Sequence, residues 1–145
     1  IIDENYEEKS KNIFNIINPE LKKLMIKYPS IIKSVRGAGA LNGVVINTDF
    51  ADKYLQPIIS LIPSKFTNDK YALKKILVTS LISALYDDFN ILTFYGSNVD
   101  LPLKISAPVI TKKEDLLYFI DSFDKVLAEG MFHNVKKFVK KNIFK

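Results

Sequence analysis

The sequence predicts an α+β fold, a small and mostly antiparallel sheet with its helices packed on one face. Three observations lead there. Long segments with apolar residues every three or four positions alternate with short β-branched runs. The elements follow in the order helix, hairpin, helix, strand, strand, helix. Two of the strand-like runs are joined by a short link holding two glycines, which reads as a hairpin turn or a bulge. The 145 residues are expected to form one domain, 1–145, a length that buries roughly two-thirds of the surface of the unfolded chain.

The first helix is expected from about Glu4 to Lys27, with Ile13, Phe14, Ile16, Ile17, Leu21, Leu24 and Met25 at near-helical spacing. Pro19 falls inside it. A break is expected there, or a second helix starting at Pro19, where a missing N–H does least harm. Pro29 closes the segment. Ile31 to Arg36 and Leu41 to Asn47 read as strands linked through Gly37-Ala38-Gly39. Gly43 inside the second strand suggests a close backbone approach where a side chain would collide. Asp49 to Asn68 is the least regular part, with one short amphipathic helix built on Tyr54-Leu55, Ile58-Ile59 and Leu61-Ile62.

Asp69 to Phe89 is the clearest helix, its face formed by Ala72, Leu73, Ile76, Leu77, Leu81, Ile82, Leu85 and Tyr86. Asn90 to Tyr95 has strand composition and runs into the turn residues Gly96-Ser97-Asn98; Leu101 to Ser106 is a further strand closed by Ala107-Pro108. Thr111-Lys112-Lys113-Glu114 has the form of a capping box, with Thr111 as N-cap and Glu114 at N3. It introduces a helix from Asp115 to Glu129 whose apolar face is Leu116, Leu117, Phe119, Ile120, Phe123, Val126 and Leu127, ended by Gly130. Met131 to Lys145 repeats the helical pattern, with Phe132, Val135, Phe138, Val139 and Ile143 on one side and lysines on the other. Such a helix lies on an anionic membrane, binds an acidic partner or docks on its own domain; docking is expected. No internal repeat or low-complexity segment is present.

Composition excludes several classes. A hydrophobic content of 48% with 26% charged residues fits a folded globular chain. No apolar run reaches the ~18–20 residues of a membrane-spanning helix. The acidic start, Ile1 to Glu8, is not expected to be a secretory signal, having no basic region followed by an apolar one. With no cysteine there is no disulfide and no thiolate chemistry, which suits a cytoplasmic setting. With His133 as the one histidine, a metal site has no natural ligand set, and none is expected. The net charge is +5, but Arg36 is the sole arginine, and arginine is the side chain best suited to bidentate reading of bases and phosphates. The charge is therefore read as solvated surface, and nucleic acid and membrane are not the expected partners.

Two segments carry a resemblance. Val35-Arg36-Gly37-Ala38-Gly39-Ala40-Leu41-Asn42-Gly43-Val44-Val45 resembles the V-R-G-x-G-hydrophobic stretch in the C-terminal small domain of class III aminotransferases, the ornithine and acetylornithine type, which depend on pyridoxal phosphate. Leu103-Lys104-Ile105-Ser106-Ala107-Pro108-Val109-Ile110-Thr111 resembles the family's L-R-hydrophobic-S-P-P-L-x-I-T segment. Between them Asn90-Ile91-Leu92-Thr93 matches a strand of the type I-L-T, and Val126-Leu127-Ala128-Glu129 matches the end of the family's last helix. The likeness covers residues 1 to about 48 and 75 to 129. About 49–74 is longer than the family usually has, an insertion, and 131–145 is an additional basic helix.

The resemblance implies a piece of a larger enzyme. Pyridoxal phosphate is bound in that family by a lysine of the large domain, beside an aspartate on the pyridinium nitrogen. Neither motif occurs here, so no residue is assigned as catalytic and the isolated chain is expected not to transaminate. The implied partners are the large domain and, in the full-length form, a second copy in a homodimer. The resemblance also implies the role of Lys104. The family's arginine at that position forks onto a substrate carboxylate, and lysine replaces the fork with a point charge, so the substrate itself is left open. Lys104 is equally readable as an edge-strand lysine that discourages sheet pairing.

Arg36, Gly37, Gly39 and Gly43 are assigned to a structural turn. Arg36 holds an interface carboxylate or stacks on the hairpin, and Gly37 and Gly39 lack the third glycine and following helix of a phosphate loop. His133 is read as a surface residue, and Asp87-Asp88 and Asp121/Asp124 as outward-facing carboxylates with no glycosidase-like role. Two other functions stay open beside the aminotransferase domain. One is a non-catalytic binding module that has kept the fold; the other is a binder of nucleic acid or membrane working through the lysine-rich face.

Overall fold

The computed structural model describes residues 5–49, 51, 55–64, 69, 71–96 and 99–142. Tyr54, Ser97, Asn98 and Ile143, each invoked above, lie outside them. Helix α1 spans Tyr6–Lys27, strand β1 Ile32–Ala38, β2 Leu41–Ile46 and the short α2 Gln56–Ile59. Helix α3 follows over Ala72–Phe89, then β3 Phe94–Tyr95, β4 Leu103–Ser106, α4 Lys113–Ala128 and α5 Met131–Asn142. The four strands form one sheet in the order β1-β2-β4-β3, antiparallel at every pairing. The α+β class and the one-sided helix layer are as the sequence predicts. Helix α1 packs on β1 and β2, and α3 on β2 and β3.

The core lies between sheet and helices. Val44, Ile46, Leu103 and Ile105 point into it from the strands, meeting Ile17 and Leu21 of α1, Leu77, Leu81 and Leu85 of α3, and Phe119 and Phe123 of α4. The rings of Phe119 and Phe123 stack with centroids 5.7 Å apart. Helix α5 closes one end through Met131, Val135 and Val139. It docks on α3, and ion pairs from Lys137 to Asp88 (2.6 Å) and Lys141 to Asp87 (2.7 Å) flank the contact. A second pair of clasps joins α1 to α4, where Lys27 Nζ lies 2.7 Å from Asp124 and the Tyr28 hydroxyl donates to the same carboxylate at 2.6 Å.

Several local expectations are corrected. Pro19 does not break α1. Its ring faces solvent while Asn18 and Leu21 on either side are buried, so core packing of both halves outweighs a penalty of about 3 kcal/mol. The hairpin turn is Gly39-Ala40, displaced from the predicted Gly37-Ala38-Gly39 link, because Ala38 pairs with Leu41 and leaves two residues between the strands. Gly39 has φ +55°, which fits glycine. The capping box does not form. Thr111 N–H donates to Pro108 O at 2.9 Å and is spent in a turn, so Lys112 becomes the N-cap without a side-chain bond. Glu114 and Asp115 instead stand in the first turn of α4, where the helix dipole favours them. Gly130, at φ +82°, ends that helix as expected.

Side-chain facing also differs in places. Tyr86, 55% exposed, leaves the predicted face of α3, while Val78, Ser80 and Ala84 are buried, because sheet, α4 and α5 surround this helix on more than one side. Leu117 of α4 is exposed as well. On α5 Phe132 points outward, 53% exposed, and Met131 takes the inward position. The strand expected from Asn90 shrinks to Phe94–Tyr95, since the left-handed Asn90 (φ 57°) ends α3 and the next residues run without pairing.

Candidate functional site

The sheet face away from the helices carries the chemistry. Alternation along β2 and β4 turns Val44, Leu103 and Ile105 to the core, so Gly43 and Lys104 face the other way. The registers Arg36↔Gly43, Gly43↔Lys104 and Phe94↔Lys104 put four residues in one cross-strand row, Arg36, Gly43, Lys104, Phe94. Gly43 has no side chain to stand between the two cations. The result is a notch of about 210 Å³ lined by Arg36, Gly37, Leu41, Gly43, Pro102 and Lys104 among others.

Its walls are held from several sides. The hairpin is pinned to α1 by Ser10 Oγ, which accepts from Ala40 N–H at 3.0 Å, and by Asn18 Nδ2, which donates to Asn42 Oδ1 at 3.3 Å. Both asparagines are buried, so this polar pair fixes the hairpin against the helix. Gly37 is needed where Asn42 turns inward, since a Cβ there would come within 2.9 Å of Asn42 Cγ. At Gly43 the expected collision is absent. A Cβ would meet Pro102 Cβ at 3.4 Å, an ordinary contact, so glycine there opens space without being forced by it.

Arg36 forms an ion pair within the chain, Nη2 to Asp100 Oδ2 at 2.9 Å. Lys104 lies on a central strand, which overturns its reading as an edge-strand residue, because the chain returns β4 between β2 and β3. It is half-buried, its ammonium 6.0 Å from the centre of the Phe94 ring. Among the described residues it has no carboxylate partner.

The notch thus gathers Arg36, Gly37, Gly43 and Lys104, while Gly39 stands at the hairpin turn and outside its lining. The assignment of all four turn residues to a turn holds for Gly39 alone; Arg36 and Gly37 belong to β1 and Gly43 to β2. Sequence reasoning missed Asp100, Pro102, Asn42 and Phe94. Asn42 had a signal, a polar residue at an inward-facing strand position. Asp100 had none, because its partner is 64 residues away along the chain (100 − 36).

The remaining candidates resolve as structural. Asp87, Asp88, Asp121 and Asp124 each pair with a lysine. Asp87 and Asp124 are held below the usual carboxylate range, chiefly by hydrogen bonds from Lys141 and Lys27. His133 is exposed, 3.8 Å from Glu129. No group of metal-binding side chains occurs among the described residues. A second hollow of about 300 Å³, bordered by Ile82, Tyr86, Leu92 and Phe138, is almost wholly apolar.

The described residues do not fit pyridoxal phosphate. A lysine that binds its aldehyde needs a depressed pKa and a buried setting. Lys11, Lys27, Lys75, Lys125 and Lys137 are instead raised, each chiefly by a hydrogen bond to a carboxylate. No described lysine is fully buried.

No protein-family model matches the sequence, and no curated protein matches it. Solved structures do. A transaminase solved with L-ala shares 16% identity over 83% of this chain and 24% of its own, at a TM-score of 0.58. An acetylornithine aminotransferase from Elizabethkingia anophelis shares 24% identity over 88% of this chain and 25% of its own, at a TM-score of 0.56. The chain therefore has the fold of a part of these enzymes and spans about a quarter of their length.

Proposed function

We propose that this chain is the small domain of a class III, pyridoxal phosphate-dependent aminotransferase, forming one wall of its substrate site. Lys104 is the residue that holds a substrate carboxylate. The single observation that carries this reading is the position of Lys104: a half-buried cation on a central strand, beside a glycine gap, without a carboxylate of its own among the described residues. The likeness in fold to an acetylornithine aminotransferase supports it. A large domain supplies the cofactor lysine, the isolated chain is inactive, and the full-length protein works in the cytoplasm as a homodimer. Residues 49–74 and 131–145 are additions to one domain, 1–145.

In this role the chain binds and orients. A lysine ammonium attracts a carboxylate as a point charge with three rotatable donors, and fixes its plane less tightly than the guanidinium fork does. Pyridoxal phosphate, when bound by the large domain, supplies the electron sink for the amino-group transfer. The test is the chain joined to the large domain encoded with it. The joined protein is expected to show the yellow absorbance of bound pyridoxal phosphate. An adjoining domain without a cofactor lysine would sink this reading in favour of a non-catalytic binding module on the same fold. That second reading draws support from Lys104 standing where an arginine is expected. The lysine-rich-binder reading is weakened by Asp87 and Asp88, which pair with two of the lysines on α5.

A further inference from the structure

The residue that decides what charge the notch accepts is not in its lining. Arg36 and Lys104 flank Gly43 in the same row, so their Cα atoms stand about two strand spacings, roughly 10 Å, apart. Two free cations so arranged suit a ligand with an anionic group at each end. Arg36, however, is not free, because Asp100 accepts from its guanidinium at 2.9 Å.

The turn that delivers Asp100 is built with some force. The next residue, Leu101, is a leucine at φ +45°, a left-handed conformation that disfavours a side chain. It is nonetheless buried, 4% exposed, and lies outside the main core. Pro102 O accepts from Gly96 N–H at 2.9 Å, Val99 O accepts from Lys74 Nζ at 3.3 Å, and the Pro102 ring rests against Gly43. Strain of this kind persists where the surroundings hold it in place. Beside Leu101, Pro102 lines the notch and the Asp100 carboxylate lies on Arg36.

We infer that Asp100 is a specificity determinant: by occupying Arg36 it leaves Lys104 as the one uncompensated cation among the described residues of the notch, which then takes monocarboxylates and gives dicarboxylates no second anchor. Arg36 and Asp100 sum to zero charge, and Lys104 contributes the single positive one. This rests on the reading of Lys104 as the carboxylate anchor. Asp100 acts through Arg36, as a positioning residue.

The test titrates the 145-residue chain with propionate and with succinate at fixed ionic strength, following the backbone amide signals of Gly43 and Lys104 by NMR. In the wild-type chain the two acids are expected to bind within about twofold of each other, the statistical factor for a ligand with two carboxylates. Asp100→Asn is expected to tighten succinate about three- to fivefold, the worth of one exposed ion pair, and propionate by no more than about twofold, since a monocarboxylate engages one cation at a time. Adding Arg36→Gln to that variant is expected to remove the gain. Asp100→Ser takes the place of Asp100→Asn where a melting curve shows that the asparagine impairs folding. The inference is overturned if wild type already prefers succinate by that margin. It also fails if the Asp100 variant leaves the ratio alone, or if the gain survives without Arg36. Those outcomes leave Lys104 as anchor. Loss of both responses, or responses that persist in Lys104→Met, would overturn the anchor itself.

Discussion

On the helix side of the sheet Val44, Leu103 and Ile105 are sealed under α1 and α3, whereas one residue along the same strands Gly43 and Lys104 stand over an open notch. Period-two alternation makes the two faces neighbours in sequence and opposites in chemistry. The buried face gains from apolar area removed from water and tolerates no loss of volume. The open face gains little from its own contacts, and its Arg36–Asp100 pair is the exposed kind that adds at most about 1 kcal/mol. Stability and binding are thus assigned to different faces of one sheet, and substitutions should separate them.

The largest effect is expected from Leu103→Ala. Leu103 is fully buried next to Lys104, and its truncation leaves a cavity under the sheet. A loss of about 2–5 kcal/mol is expected in urea unfolding. A loss below about 1 kcal/mol would mean the helix face is looser than described.

Gly39→Ala comes next. The site needs φ +55°, and an added Cβ would run into Ser10 Oγ, the group that accepts from Ala40 N–H. About 1–3 kcal/mol should be lost, read as a lower thermal midpoint. A midpoint unchanged from wild type would show that the hairpin is not held to α1 in this way.

The α3–α5 clasp gives a smaller, pH-dependent effect. Asp87 titrates below its ordinary value of 3.8, chiefly because of the hydrogen bond from Lys141. A carboxylate with a depressed folded-state pKa adds stability that is full above 3.8 and is lost as pH falls from 3.8 through the folded value. Below that point the unfolded chain has already bound its proton. Asp87→Asn should therefore lower stability by less than about 1 kcal/mol near neutral pH and flatten the acid limb of the curve. Urea midpoints from pH 6 to 2 would check it, and an acid limb as steep as that of wild type would contradict it.

How much of this was legible in the sequence follows from the range of the forces involved. The long helices, the paired strands and Gly130 are local, set by periodicity and turn chemistry, and they appear where expected. Pro19 defeated local reasoning because its neighbours Asn18 and Leu21 are fixed by the core, which no window of sequence shows. Thr111 closes no capping box because its N–H, from which Glu114 would accept, is taken by Pro108 O, three residues back. Lys104 was recognised as a candidate, yet its central place in the sheet was not, since β4 inserts between β2 and β3 out of chain order. Asp100 was invisible for the same reason: its meaning lies in Arg36, on a strand at the far edge of the sheet.

The smallest expected effect on stability belongs to Lys104→Met, within about 0.5 kcal/mol of wild type, as for a side chain outside the core. Its effect on binding should be complete, and this measurement tests the central claim most directly. Propionate titrated into the wild-type chain is predicted to give saturable shifts confined to the notch, at Gly43, Lys104 and their neighbours, and Lys104→Met is predicted to abolish them while leaving the melting curve in place. Shifts of equal size in the variant, or shifts spread evenly over the lysines of the surface, would contradict the account.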